Sequence, residues 1–157
     1  PSIFETNPFF IKNEPTLIEY AAFFGSINIF KYLIQNEVRL TPFLWIYAVH
    51  GQNLELIHLL EEYHVVPKDD CEDCIRECIK CHHNDIAKYI KNNFLQNKDD
   101  YNNMNIFSNG LKFYNFAYIG KESINESSFY DLCQYDYFTL VEILLKNSDI
   151  DINSKII

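Results

Sequence analysis

The densest run of chemically capable side chains is Cys71-x-x-Cys74-x-x-x-Cys78-x-x-Cys81-His82-His83, two Cys-x-x-Cys pairs followed by adjacent imidazoles. Zinc takes four such ligands tetrahedrally at about 2.0 to 2.3 Å. On a continuous helix, however, the stretch from Cys71 to Cys81 advances roughly 15 Å. Four thiolates so placed cannot converge on one ion; at most one pair plus a histidine could. The same i, i+3, i+7, i+10 spacing is that of a buried helical stripe, and cysteine is small and frequently buried. The stripe is therefore read as packing, with a metal- or redox-responsive module built on Cys71 to Cys81 and His82-His83 as the alternative.

Other chemistry is sparse. His50 and His58 fall near one face of an ideal helix, but Gly51 separates them with a turn, so they are read as surface histidines without a shared role. No Gly-rich phosphate loop, Gly-x-Ser-x-Gly elbow or His-Glu-x-x-His helix occurs, and only 4 glycines are present to build a nucleotide cradle. Glu61-Glu62 and Asp69-Asp70 are chain neighbours that point to different sides, which suits solvated faces better than an acid–base pair. A non-enzyme without a cofactor is expected.

Composition narrows the partner. Of 157 residues 48% are hydrophobic and 16% aromatic, with 13 Phe and 11 Tyr, enough to build a core. A net charge of −9 with dispersed Lys and Arg opposes nucleic-acid binding, which needs a basic stripe. A protein partner, basic in character, fits better. The longest strongly apolar run, Phe43 to Val49, falls far short of the roughly 20 residues of a membrane span. No signal-peptide pattern opens the chain, and four of the five Cys crowd into Cys71–Cys81 without a secreted disulfide framework. An intracellular, cytoplasmic setting is expected, and the lone sequon Asn125-Glu126-Ser127 does not overturn it.

The elements that would position these residues come in pairs. Residues 1–15 carry Pro8 and Pro15 around Phe9, Phe10 and Ile11 and read as a loop packing onto the first repeat. Thr16 and Glu19 form a Thr-x-x-Glu capping box opening a helix to about Phe24, and Ile27, Phe30, Leu33 and Ile34 mark a second helix beyond Gly25. The unit then repeats. Thr41 reads as an N-cap with Pro42 at the first helical position, Leu44, Trp45, Ala48 and Val49 mark the first helix, and Leu54, Ile57, Leu59 and Leu60 the second. Matching Ala48 to Ala22 and Leu59 to Tyr32 leaves the second copy one residue longer in its turn. A third unit places Cys74, Ile75, Cys78 and Ile79 on one stripe and Ile86, Tyr89 and Ile90 on the other. A fourth places Phe129, Leu132 and Cys133, then Leu140, Val141, Leu144 and Leu145. The segments are thus 16–40, 41–68, 69–94 and 128–157, with 95–127 an insertion or degenerate repeat holding a helix near 104–114.

The registers Thr16-Leu17-Ile18-Glu19-Tyr20-Ala21-Ala22, Pro42-Phe43-Leu44-Trp45-Ile46-Tyr47-Ala48, Glu72–Cys78 and Ser127–Cys133 resemble the ankyrin-repeat consensus Thr-Pro-Leu-His-Leu-Ala-Ala, and the tail Asn147–Asn153 resembles its hairpin segment. The chain is similar to the divergent, Asn- and aromatic-rich ankyrin proteins expanded in some protists. Glu19, Trp45, Ile75 and Tyr130 stand where the family has histidine, so apolar stacking must replace its hydrogen bonds. The resemblance implies an all-α, ankyrin-like helix-turn-helix repeat solenoid, an excerpt of a longer array with degenerate hairpin loops, acting as a protein-binding scaffold. It further implies that the residue pairs before each turn, Phe23 and Phe24, Val49 and His50, Ile79 and Lys80, Gln134 and Tyr135, face a partner on the concave side.

Overall fold

The computed structural model describes residues 5–67, 71–95, 105–120 and 128–147, and every regular element among them is helical. The Asp69-Asp70 loop, the sequon at Asn125 and the tail beyond Asn147 lie outside the described residues. The chain divides into two compact units between Leu95 and Gln96. Among the described residues no helix is long and apolar enough to cross a membrane.

The first unit holds α1 (Pro8–Asn13), α2 (Leu17–Phe23), α3 (Ile27–Gln35), α4 (Leu44–His50), α5 (Leu54–Glu62), α6 (Glu72–Lys80) and α7 (Asn84–Phe94). Three hairpins result, α2 with α3, α4 with α5, and α6 with α7. Their first helices lie side by side, α2 on α4 and α4 on α6.

Each first helix stops in the same way. The amide of Ser26 donates to Ala21 O at 2.8 Å, that of Asn53 to Ala48 O at 3.0 Å, and that of His83 to Cys78 O at 2.9 Å. The residue before each of those amides is left-handed: Gly25 (φ 65°), Gln52 (φ 53°) and His82 (φ 60°). This is the Schellman ending, which satisfies carbonyls that the last helical turn leaves bare. The accepting residues Ala21, Ala48 and Cys78 are buried, and their small side chains let neighbouring first helices approach.

The shared turn corrects the register read from sequence. Ala48 corresponds to Ala21 rather than Ala22, and the second copy has no extra residue. Gly51 is not the counterpart of Gly25 either. Its φ is an ordinary −75°, and it is glycine because a Cβ there would lie 2.0 Å from Phe23 O on the neighbouring helix.

The stripes pack as their spacing predicts. Cys74, Ile75, Cys78 and Ile79 of α6 are all buried, as are Leu44, Trp45, Ala48 and Val49 of α4. Each fully buried large apolar side chain contributes roughly 1.5–3 kcal/mol of transfer free energy. Trp45 keeps its polar edge satisfied by donating Nε1–H to Val65 O at 2.6 Å, while the edge of its ring packs against Phe94 at 4.9 Å. The Thr16–Glu19 capping box forms, with Thr16 N–H donating to Glu19 Oε2 at 2.7 Å.

Two helix starts differ from expectation. The 1–15 segment is not only a loop. Asn7 caps α1 by accepting from the Phe9 amide at 3.0 Å, with Pro8 at the first helical position, where it needs no amide partner. Thr41 is not the cap of α4, because Leu44, Trp45 and Ile46 donate to Thr41, Pro42 and Phe43 in i to i+3 bonds, a tight turn that delays the helix to Leu44.

The second unit holds α8 (Ile106–Lys112), a 3₁₀ turn at Phe116–Tyr118, α9 (Phe129–Gln134) and α10 (Phe138–Asn147). The same ending recurs twice, Asn115 donating to Gly110 O at 2.8 Å and Tyr137 to Leu132 O at 2.9 Å. The 95–127 segment thus carries a first helix with its turn, followed by a 3₁₀ turn. At Gly110 a Cβ would meet Tyr118 Cβ at 3.1 Å, so that turn folds directly onto the helix. Leu111, Leu132 and Leu144 form the core here, flanked by Phe107, Phe129 and Leu140.

Candidate binding face

With the register fixed, Phe23, His50 and Lys80 are equivalent positions on α2, α4 and α6, one residue past buried Ala22, Val49 and Ile79. The stack therefore brings an aromatic ring, an imidazole and an ammonium into one row. Phe23 and His50 stack with ring centroids 4.9 Å apart.

Helix α1 lies over this row. The Phe9 ring stacks on His50 at 4.2 Å, contacts Phe23 at 5.9 Å and meets Tyr47 edge-on at 5.3 Å. Lys80 Nζ sits 5.7 Å from the same ring, within cation–π range. Phe10, the next residue of α1, is buried against Tyr20 and Phe23, both at 4.5 Å. Beside Phe9 a groove of about 390 Å³ remains open, walled by Lys12, Phe43, Tyr47, Arg76 and Lys80.

The eight positions expected to meet a partner divide accordingly. Phe23, His50 and Lys80 come together. Phe24 is 65% exposed at the edge of the face, touching Phe10 at 5.7 Å. Val49 and Ile79 are fully buried and offer no surface, because they fill the seam between neighbouring first helices. In the second unit Gln134 is exposed, while Tyr135 packs against the Leu111, Leu132 and Leu144 core. By register, the equivalents of Phe24 and Tyr135 fall on the turn rather than on the row.

The groove carries both signs of charge, Lys12, Arg76 and Lys80 with Asp73 and Glu77. Arg76 pairs with Asp73, and Lys80 Nζ lies 2.8 Å from Glu77 Oε1. Tyr47 is a buried phenol whose pKa is pushed up to about 12, first by burial and then by the charges of Glu19 and Tyr20.

At the row's centre His50 Nδ1 makes a short hydrogen bond to Glu77 Oε1. Cys81 Sγ lies 3.4 Å from that nitrogen and 3.7 Å from that oxygen. Burial alone would raise the Glu77 pKa, but hydrogen bonds from His50 and Lys80 override it and hold the carboxyl near about 2. The Cys81 thiol is pushed up to about 11, by burial first and by Glu77 next.

The cysteine stripe behaves as packing. Cys74 and Cys78 face the core, and burial drives both thiols well above their ordinary range, which keeps them protonated at neutral pH. His82 is exposed at the left-handed turn position. His83 Nδ1 sits 2.9 Å from Val49 O, so that nitrogen carries the proton and donates across the hairpin interface. His58 lies on α5, exposed, 3.1 Å from Glu61 Oε2 and apart from His50.

Sequence places Phe9 in a patch packing onto the first helical pair, as its contact with Phe23 bears out, but does not mark Tyr47 or Glu77 as site residues. Glu77 stands one helical turn before Cys81, a spacing that places both on one face, but its partner His50 belongs to another hairpin. Compared with known proteins, the chain matches no protein-family model, no curated protein and no solved structure.

Proposed function

We propose that the first unit is a non-catalytic protein-interaction module, an ankyrin-like stack of helical hairpins whose first-helix face takes a short apolar helix of a partner protein. The observation that carries this reading is the seating of Phe9. An aromatic side chain on a six-residue helix spans two first helices and reaches a third, contacting Phe23, Tyr47, His50 and Lys80. A face that holds a helix of its own chain in this way has the shape and chemistry to hold another. Rings give large contact area at low entropic cost, which suits anchor residues at an interface. The recurrent small residue at each turn and the side-by-side first helices support the ankyrin-like reading of the stack. Arg76 and Lys80 of the groove are paired with Asp73 and Glu77, so apolar fit contributes most to selecting the partner.

Site-specific photo-crosslinking in the native cell tests the reading. A photoreactive residue at Phe24 or Phe43, both at the first-helix face, is expected to trap one common protein, whereas the same residue at Tyr32 on α3 traps none of it. Equal trapping at Tyr32, or trapping there alone, contradicts the assignment of the face.

A further inference from the structure

We propose that His50, Glu77 and Cys81 form a binding site for one zinc-type divalent cation, which would tie α4 to α6. The three donors come from two hairpins, and their ligand atoms lie within 4.8 Å of one another. It is the only such group of three among the described residues. The donor types fit a borderline metal, which accepts imidazole, carboxylate and thiolate together.

The geometry is close to what such an ion requires. With bonds of about 2.0 Å to nitrogen and oxygen and 2.3 Å to sulfur, tetrahedral ligands stand roughly 3.3 Å apart for the nitrogen–oxygen pair and roughly 3.5 Å for pairs with sulfur. Cys81 Sγ already stands 3.4 Å from His50 Nδ1 and 3.7 Å from Glu77 Oε1. One separation has to change, as His50 and Glu77 open from hydrogen-bond contact. The Lys80 ammonium, bonded to Glu77 and 40% exposed, swings toward solvent on its flexible stem. The position of His50 is restrained by Phe9 and Phe23, whose rings stack on it, so less ordering remains to be done on binding.

The proton balance is explicit. The Cys81 thiol gives its proton to solvent as sulfur becomes a ligand. His50 ligates through Nδ1 as neutral imidazole, the Nδ1 proton moving to Nε2 or to solvent, and Glu77 binds as carboxylate. No oxidation is involved. The site differs from the one the Cys71–Cys81 stripe suggests by sequence. Cys81 works with residues across the hairpin interface and not with Cys74 and Cys78, which face the core.

Cobalt(II) is the probe, because a thiolate ligand gives a near-ultraviolet charge-transfer band and tetrahedral coordination an intense visible one. Titrating the full, reduced chain with Co²⁺ is expected to give both bands at one ion per chain, displaced by Zn²⁺. Cys81→Ser should abolish the charge-transfer band and His50→Asn weaken binding at least tenfold, while Cys133→Ser leaves both unchanged. Absence of the band, or its survival in Cys81→Ser, overturns the site. Should the variants fold poorly by circular dichroism, the unmodified chain still decides the matter. Zn²⁺ is expected to slow alkylation of Cys81 and not of exposed Cys133, and equal rates with and without Zn²⁺ overturn the proposal.

Discussion

Replacing Gly51 by alanine tests the stacking of the first two hairpins with a single methyl group. At φ −75° the backbone accepts alanine without strain, so a Gly51 in open space would make Gly51→Ala stabilising by about 0.4–1 kcal/mol through the unfolded chain. Here the added Cβ would stand 2.0 Å from Phe23 O, 2.9 Å from Phe23 C and 3.2 Å from Phe23 Cα. Those atoms are backbone at the end of α2 and cannot rotate away, so α4 must withdraw from α2. Overpacking of this kind costs about 1–3 kcal/mol and sometimes more. The upper end applies, because the shift opens the seam filled by Ala22 and Val49. For a unit of this size about 3 kcal/mol lowers Tm by roughly 10–20 °C. Thermal unfolding followed by circular dichroism reads the change, and an unaltered or raised Tm refutes the close approach of the two helix ends.

Alkylation of the native chain followed by mass spectrometry should label Cys133 first, Cys81 slowly, and Cys74 and Cys78 only on unfolding, following their exposure and raised thiol pKa values. Burial pushes the Tyr47 phenol up to about 12 from its ordinary 10.0. Its contribution is therefore fully present below pH 10 and is lost as pH rises toward 12. Tyr47→Phe should flatten that part of the alkaline stability profile in denaturant titrations. Phe9→Ala loosens α1 on the first-helix face at a cost of about 1–2 kcal/mol, less than for a fully buried ring, while buried Phe10 still holds the helix. Calorimetric titration with the crosslinked partner should then show weaker binding, because the Phe9 ring that walls the groove is lost.

The helices were legible because apolar spacing and capping chemistry agree along most of the chain. The stripe at Cys74, Ile75, Cys78 and Ile79 was read as core for the right reason, since helix rise alone forbids one metal site along it. The register slipped by one residue because Ala21-Ala22 offers two small residues, and because Gly25 and Gly51 were given one role. Gly25 supplies a left-handed turn, whereas Gly51 admits the Phe23 carbonyl. Sequence shows both as glycine between helices. Helix α1 is hard to see in sequence because Pro8 reads as a breaker, whereas after the Asn7 cap it is the first helical residue. His50 and Lys80 were placed on the face through the repeat. Glu77 and Cys81 join them only through packing between hairpins, which no local pattern encodes, and the apolar patch at Phe9 shows that it packs without showing that it reaches His50 and Lys80.

The binding face stands or falls on whether Phe9 sits over α2 and α4 in solution. Nuclear Overhauser spectroscopy on the chain measures this directly. Cross-peaks from the Phe9 ring to the rings of His50 and Tyr47 are expected, with His50 protons shifted upfield by the stacked ring. A Phe9 ring with solvent-like shifts and no contacts to either residue would contradict the account.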